Sequence, residues 1–194
     1  MNKKVRVQRD RYFKPHHILI GAAKNALENA EARVPGWLYY ELTAITFSAL
    51  ALEALTNSFG EKLVARWEDF ERGANPVAKL RIICSQLNVQ PDFEKEPWAT
   101  TLWLMKFRNK VAHAKPEPIN FDKTMSEEDF KKIQFEFPQS KFEMEITLKN
   151  AKRSIDAIDS ILELFYPKLS AEKADELYSN GFSGSVSVVN SLNF

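Results

Sequence analysis

The chain has few of the residues that usually announce a chemistry. Its 194 residues include one cysteine, three histidines and six glycines, and its charges nearly cancel, with 27 Lys and Arg against 26 Asp and Glu for a formal net charge of +1. A single cysteine, Cys84, excludes an intramolecular disulfide and a multi-cysteine metal site. Its setting in Leu80-Arg81-Ile82-Ile83-Cys84 marks it as a small buried hydrophobe. With so little glycine there is no phosphate loop of Walker or Rossmann type, and no HExxH or nucleophile-elbow sequence is present. The balanced charge excludes a general basic coat, so any nucleic-acid contact has to be a local patch. No stretch approaches the roughly 18 apolar residues of a membrane span, and the best N-terminal run, His17 to Ala23, is cut off by Lys24. The expectation is a soluble, cytoplasmic protein with no membrane contact, no metal site and no cofactor.

What is present is helical periodicity. Residues 1–14 carry Lys3, Lys4, Arg6, Arg9, Arg11 and Lys14 and read as a basic arm, either a solvated tail or an RNA-facing one. Residues 15–168 read as one helical domain. A first helix is predicted over 16–32, and the clearest one over 37–59, where Leu38, Leu42, Ile45, Ala49 and Leu52 recur every three or four residues and Gly60 is placed to terminate it. A short helix is predicted over 61–72. Asn75-Pro76 opens another, with asparagine as N-cap and proline in the first turn. From Trp98, the stripes Trp98-Leu102-Met105 and Leu104-Phe107-Val111 give a helix apolar on two sides, suited to the centre of a bundle. Ser126 with Asp129 resembles a capping box. Alternation at Ile133, Phe135 and Phe137, and again at Phe142, Met144 and Ile146, predicts a small β-hairpin over 132–146, with a loop leading into a helix as the alternative. A last long helix is predicted over 147–166. Residues 169–194 read as a helical turn followed by a Ser/Gly/Asn-rich tail, mobile or forming a strand that pairs only on assembly.

The chemistry-bearing segment is Phe107-Arg108-Asn109-Lys110-Val111-Ala112-His113, at the end of the two-sided helix. At about 100° per residue, Asn109 and His113 share a face and Arg108 stands one step round. Lys106, Lys110 and Lys115 add positive charge around them and are the candidate RNA-binding cations. Histidine moves protons near neutral pH, and arginine holds a developing negative charge bidentately. Cleaving RNA without a metal requires a base for the ribose 2′-hydroxyl, an acid for the leaving 5′-oxygen and a cation for the transition state. His113 fits either proton-transfer role, Arg108 the cation, and Asn109 an orienting amide. One copy supplies one such histidine, so both roles require a two-fold dimer that faces two motifs together. The competing reading is a histidine that merely caps a helix, favoured there by the macrodipole.

The Arg108-Asn109-x-x-x-His113 motif resembles the signature of HEPN domains (higher eukaryote and prokaryote nucleotide-binding). A second likeness lies in Phe47 to Asn57, an Ala/Leu-rich early helix bearing Glu53 and, four residues on, Asn57 where the family pattern has a polar or basic residue. The resemblance covers residues 16–166. It implies an all-α, HEPN-like helical bundle and a metal-independent endoribonuclease of the toxin or phage-defence class, working as a homodimer on RNA and countered by an antitoxin or immunity protein. Arg108, Asn109 and His113 would be catalytic, with Glu53 and Asn57 in support. The alternative is a non-catalytic HEPN-like module that binds a nucleotide or RNA or holds a dimer together. The tandem His16-His17 is a poor chelate, because neighbouring helical residues point apart, and reads as a helix-start pair. Trp37, Trp67, Trp98 and Trp103 read as core or dimer contacts rather than base-stacking platforms.

Overall fold

Among the described residues a strand (β1, Lys4–Arg11) leads into eight α-helices, and a second strand (β2, Phe182–Val189) follows them. The computed structural model describes residues 4–135, 137–178 and 182–189. The helices are α1 (Pro15–Glu31), α2 (Trp37–Leu63), α3 (Glu68–Glu71), α4 (Pro76–Gln86), α5 (Trp98–Ala112), α6 (Glu127–Ile133), α7 (Leu148–Phe165) and α8 (Ala171–Tyr178). The described residues are therefore mainly helical, with a small two-stranded antiparallel sheet.

The axis of the bundle is α2, which packs along α1 and against α4, α5, α7 and α8. Its stripe of Ile45, Ala49, Leu52, Leu55 and Phe59 meets Leu80, Ile83 and Cys84 of α4, Leu104 and Phe107 of α5, and Ile161 and Phe165 of α7. Small residues on α2, Ala44, Ser48 and Ala51, are fully buried and let neighbouring helices approach closely. By length and composition α2 is apolar enough to cross a bilayer, a test that the core helix of a bundle also passes. Half of that apolar window is buried within the bundle.

Local signals explain most of the boundaries. The Asn75 side chain accepts a hydrogen bond from Ala78 N, and Pro76 occupies the first turn of α4. Ser126 caps α6 by accepting from Asp129 N, and Thr147 caps α7 by accepting from Asn150 N. Three expectations are corrected. Gly60 does not end α2, which continues to Leu63. Its missing side chain instead makes room for Trp67, because a Cβ there would lie 2.2 Å from the indole ring. Residues 61–72 are not one helix but the end of α2, a turn and the single-turn α3. Among the described residues no hairpin forms over 132–146. Lys132 and Ile133 belong to α6 and Glu143–Glu145 forms a 3₁₀ turn, while Phe135 and Phe137 are 85% and 87% exposed. Phe142 and Ile146 do reach the core, but from either end of that 3₁₀ turn rather than from a strand.

The sheet forms instead between the two ends of the described chain. β1 pairs antiparallel with β2 from Lys4↔Val189 to Arg11↔Phe182. The basic arm is thus a strand over residues 4–11, and the Ser/Val segment pairs with it inside the same chain. Residues 180, 181 and 190–194 of the expected tail lie outside the described residues.

Candidate functional site

The motif lies on the last turn of α5. Phe107 anchors that turn in the core, fully buried and stacked on Phe142 at 5.5 Å between ring centroids. With Phe107 turned inward, Arg108 and Asn109 face outward, and His113 ends the helix as its C-cap. The His113 amide donates to the Asn109 carbonyl at 3.0 Å, the closing i to i+4 bond of α5. The imidazole is exposed, and among the described residues it has no hydrogen-bond partner.

Arg108 is held from two sides. Its Nη2 donates to Glu53 Oε2 of α2 at 2.6 Å, and its Nη1 donates to Asn109 Oδ1 at 3.0 Å. The arginine and glutamate side chains are 33% and 25% exposed, so the pair is fixed but still reached by solvent. Glu53, Arg108 and Asn109 therefore form one hydrogen-bonded row across two helices, with His113 one turn beyond Asn109.

The other predicted residues have different partners. Asn57, one turn along α2 from Glu53, does not reach Arg108. Its Oδ1 accepts from Lys79 Nζ of α4 at 2.8 Å. Lys79 is 5% exposed, and its ammonium stands 6.0 Å from the centre of the Trp67 ring. Lys110 is ion-paired with Glu145, whose other oxygen accepts from Trp103 Nε1 at 3.2 Å. Much of its positive potential is therefore neutralised. Lys106 and Lys115 are exposed. Two participants escaped the sequence reading. Lys79 lies on the stripe of Pro76, Leu80, Ile83, Cys84 and Leu87, and a cation on an apolar stripe was the signal that a buried partner awaited it. Glu145 was hidden in the alternation taken for a strand.

The histidine pair at the start of α1 has a separate setting. His16 is 1% exposed and meets Ser58 Oγ through Nδ1 at 3.0 Å. The Ser58 hydroxyl also lies 3.0 Å from the Ala54 carbonyl, so it links the His16 ring to the backbone of α2. Burial, then the neighbouring His17 and Lys14, push the His16 pKa down to about 4, which keeps the ring neutral. Burial likewise pushes the Cys84 thiol up to about 12, leaving it inert. Of the tryptophans, Trp67 and Trp98 are core residues, while Trp37 lies under the Arg33 guanidinium at 4.5 Å and Trp103 under that of Arg153 at 4.2 Å.

Among the described residues no group of three or more His, Cys, Asp or Glu side chains is arranged to hold a metal ion. A cavity of about 790 Å³ opens between the end of β1, α2 and α3, lined by Tyr12, Phe13, Asn57, Glu61 and Trp67 among others. It includes no residue of the Arg108–His113 motif, which lies on open surface. Compared with protein families, with curated proteins and with solved structures, the chain matches none.

Proposed function

We propose that the chain is a metal-independent endoribonuclease of HEPN type, acting on cytoplasmic RNA at a cleft between two copies. The observation that carries this reading is the row Glu53–Arg108–Asn109 with an unengaged imidazole one turn further on. Glu53 and Asn109 fix the guanidinium before any ligand arrives, so little reorganisation is needed when charge develops on a phosphate. His113 of one copy accepts the 2′-hydroxyl proton as that oxygen attacks the neighbouring phosphorus. His113 of the second copy gives a proton to the departing 5′-oxygen. The products are a 2′,3′-cyclic phosphate and a 5′-hydroxyl. The exposed position of the motif on a single chain fits a site completed by a partner copy. A toxin or phage-defence role, with an antitoxin or immunity protein to restrain it, belongs to the same reading.

The test is RNA cleavage in EDTA. Wild type is expected to leave cyclic phosphate ends, and His113→Ala to lose about 10²–10⁴-fold in rate while remaining folded. Equal cleavage by the two proteins would refute the reading. A second reading draws on one observation: both terminal nitrogens of Arg108 already have partners within the chain. It makes the motif a non-catalytic RNA- or nucleotide-binding or dimerisation surface, and predicts RNA binding without turnover.

A further inference from the structure

The two-stranded ribbon is poorly explained by the chain alone. Residues 5–11 of β1 and 183–187 of β2 are all exposed, so neither face of this stretch is covered by the helices. Val5, Val7 and Val186 are 55%, 50% and 68% exposed. Val5 and Val7 lie two residues apart, and Val7 is paired with Val186, so the three share one apolar face. A two-stranded ribbon with no covered face is marginally stable in water and gains from a third strand. Among the described residues no further strand joins either edge.

The two edges differ in charge. β1 carries Lys4, Arg6, Arg9 and Arg11 against one acid, Asp10, the kind of charge that protects an edge strand from pairing. β2 reads Phe-Ser-Gly-Ser-Val-Ser-Val-Val and carries no charge and no proline. Two β1 edges brought together would oppose like charges, whereas two β2 edges oppose none. At Gly184 a Cβ would lie 3.0 Å from the Gln8 carbonyl oxygen, so the missing side chain lets β1 lie close against β2.

We propose that β2 pairs edge to edge with β2 of a second copy of this chain, forming a continuous antiparallel sheet in the order β1-β2-β2-β1. An antiparallel pair of identical strands is related by a dyad perpendicular to the sheet, which makes the contact self-complementary and closed. The apolar faces of the two ribbons then lie on the same side of a four-stranded sheet. Both outer edges of the assembly are basic β1 strands, which stops growth at two copies. The contact is one strand long and buries less than the roughly 1,200 Å² of a standard stable interface, so it is concentration-dependent.

Sedimentation velocity of the full chain over a dilution series tests this. Wild type is expected to pass from monomer to dimer on the order of micromolar concentration. Ser185→Lys with Ser187→Lys in one protein, and Ser185→Glu with Ser187→Glu in another, should each stay monomeric with unchanged helical circular dichroism. Mixing the two should restore a dimer through opposite charges across the dyad. A wild type that remains monomeric, a Lys variant that dimerises as wild type does, or a mixture of folded variants that does not associate would each overturn the proposal. It stands apart from the ribonuclease reading, because a chain that cleaves nothing can still pair through β2. Conversely, a Lys variant that still dimerises as wild type does and cleaves RNA would refute this pairing and leave that reading intact.

Discussion

Glu53 and Asn57 lie one turn apart on α2, and each receives a cation from another helix. Arg108 of α5 comes to Glu53, and Lys79 of α4 comes to Asn57. The first link is carboxylate to guanidinium, a third exposed on the arginine side. The second joins a neutral amide to an ammonium sealed beneath Trp67. A partly exposed ion pair in water contributes little to stability, so the Glu53–Arg108 link serves mainly to aim a group that solvent and ligand can reach. A buried lysine costs desolvation that its amide and ring contacts must offset, so the Asn57–Lys79 link belongs to the architecture. Similar polar chemistry on one helix face thus serves two purposes, and exposure decides which.

The largest expected effect on stability lies on the sealed side. Lys79→Ala removes a buried stem and leaves Asn57 Oδ1 without its donor, and chemical denaturation should show a loss of about 2–5 kcal/mol. A loss near zero would erase the distinction between the two links.

His16 extends the sealed side, since it bonds to Ser58, the residue after Asn57. Its folded pKa lies below the ordinary 6.5, at about 4. The unfolded chain therefore takes up the proton first. The contribution is complete above about pH 6.5, falls as pH drops toward about 4, and changes no further below that. It amounts to on the order of 3 kcal/mol. Titrating unfolding free energy against pH for wild type and His16→Gln should show a shallower acid slope in the variant over that window. Parallel slopes would mean that His16 is not held neutral by its burial.

The smallest effect on stability is expected at the exposed link. Arg108→Ala should cost about 1 kcal/mol or less, because Glu53 remains in contact with water. A thermal shift as large as that of Lys79→Ala would make Arg108 an architectural residue after all.

Much of this fold was legible because its strongest signals are local. The Leu38-to-Leu52 stripe, the Asn75-Pro76 start and the periodicity of Leu148 to Phe165 each encode a helix within a few turns of chain. Gly60 misled because a glycine that stops a helix and one that admits an indole look alike until Trp67 is positioned seven residues on. The alternation over 132–146 misled because Phe135 and Phe137 meet no core, while Phe142 and Ile146 meet it from the two ends of a 3₁₀ turn. The pairing of β1 with β2 joins segments more than 170 residues apart, and nothing local in either announces the other. At the site, the Arg108–Asn109–His113 spacing could be read directly from helix geometry, and Glu53 was singled out with it. The partner of Asn57 could not be found that way, since it depends on how α4 packs against α2.

The most direct test crosses the two links. RNA cleavage in EDTA and unfolding free energy are measured together on Arg108→Ala and Lys79→Ala. The account predicts that Arg108→Ala loses about 10²–10³-fold in cleavage with little loss of stability, and that Lys79→Ala loses stability while its folded fraction still cleaves. Cleavage by Arg108→Ala at the wild-type rate, or stability and cleavage falling together in both variants, would contradict it.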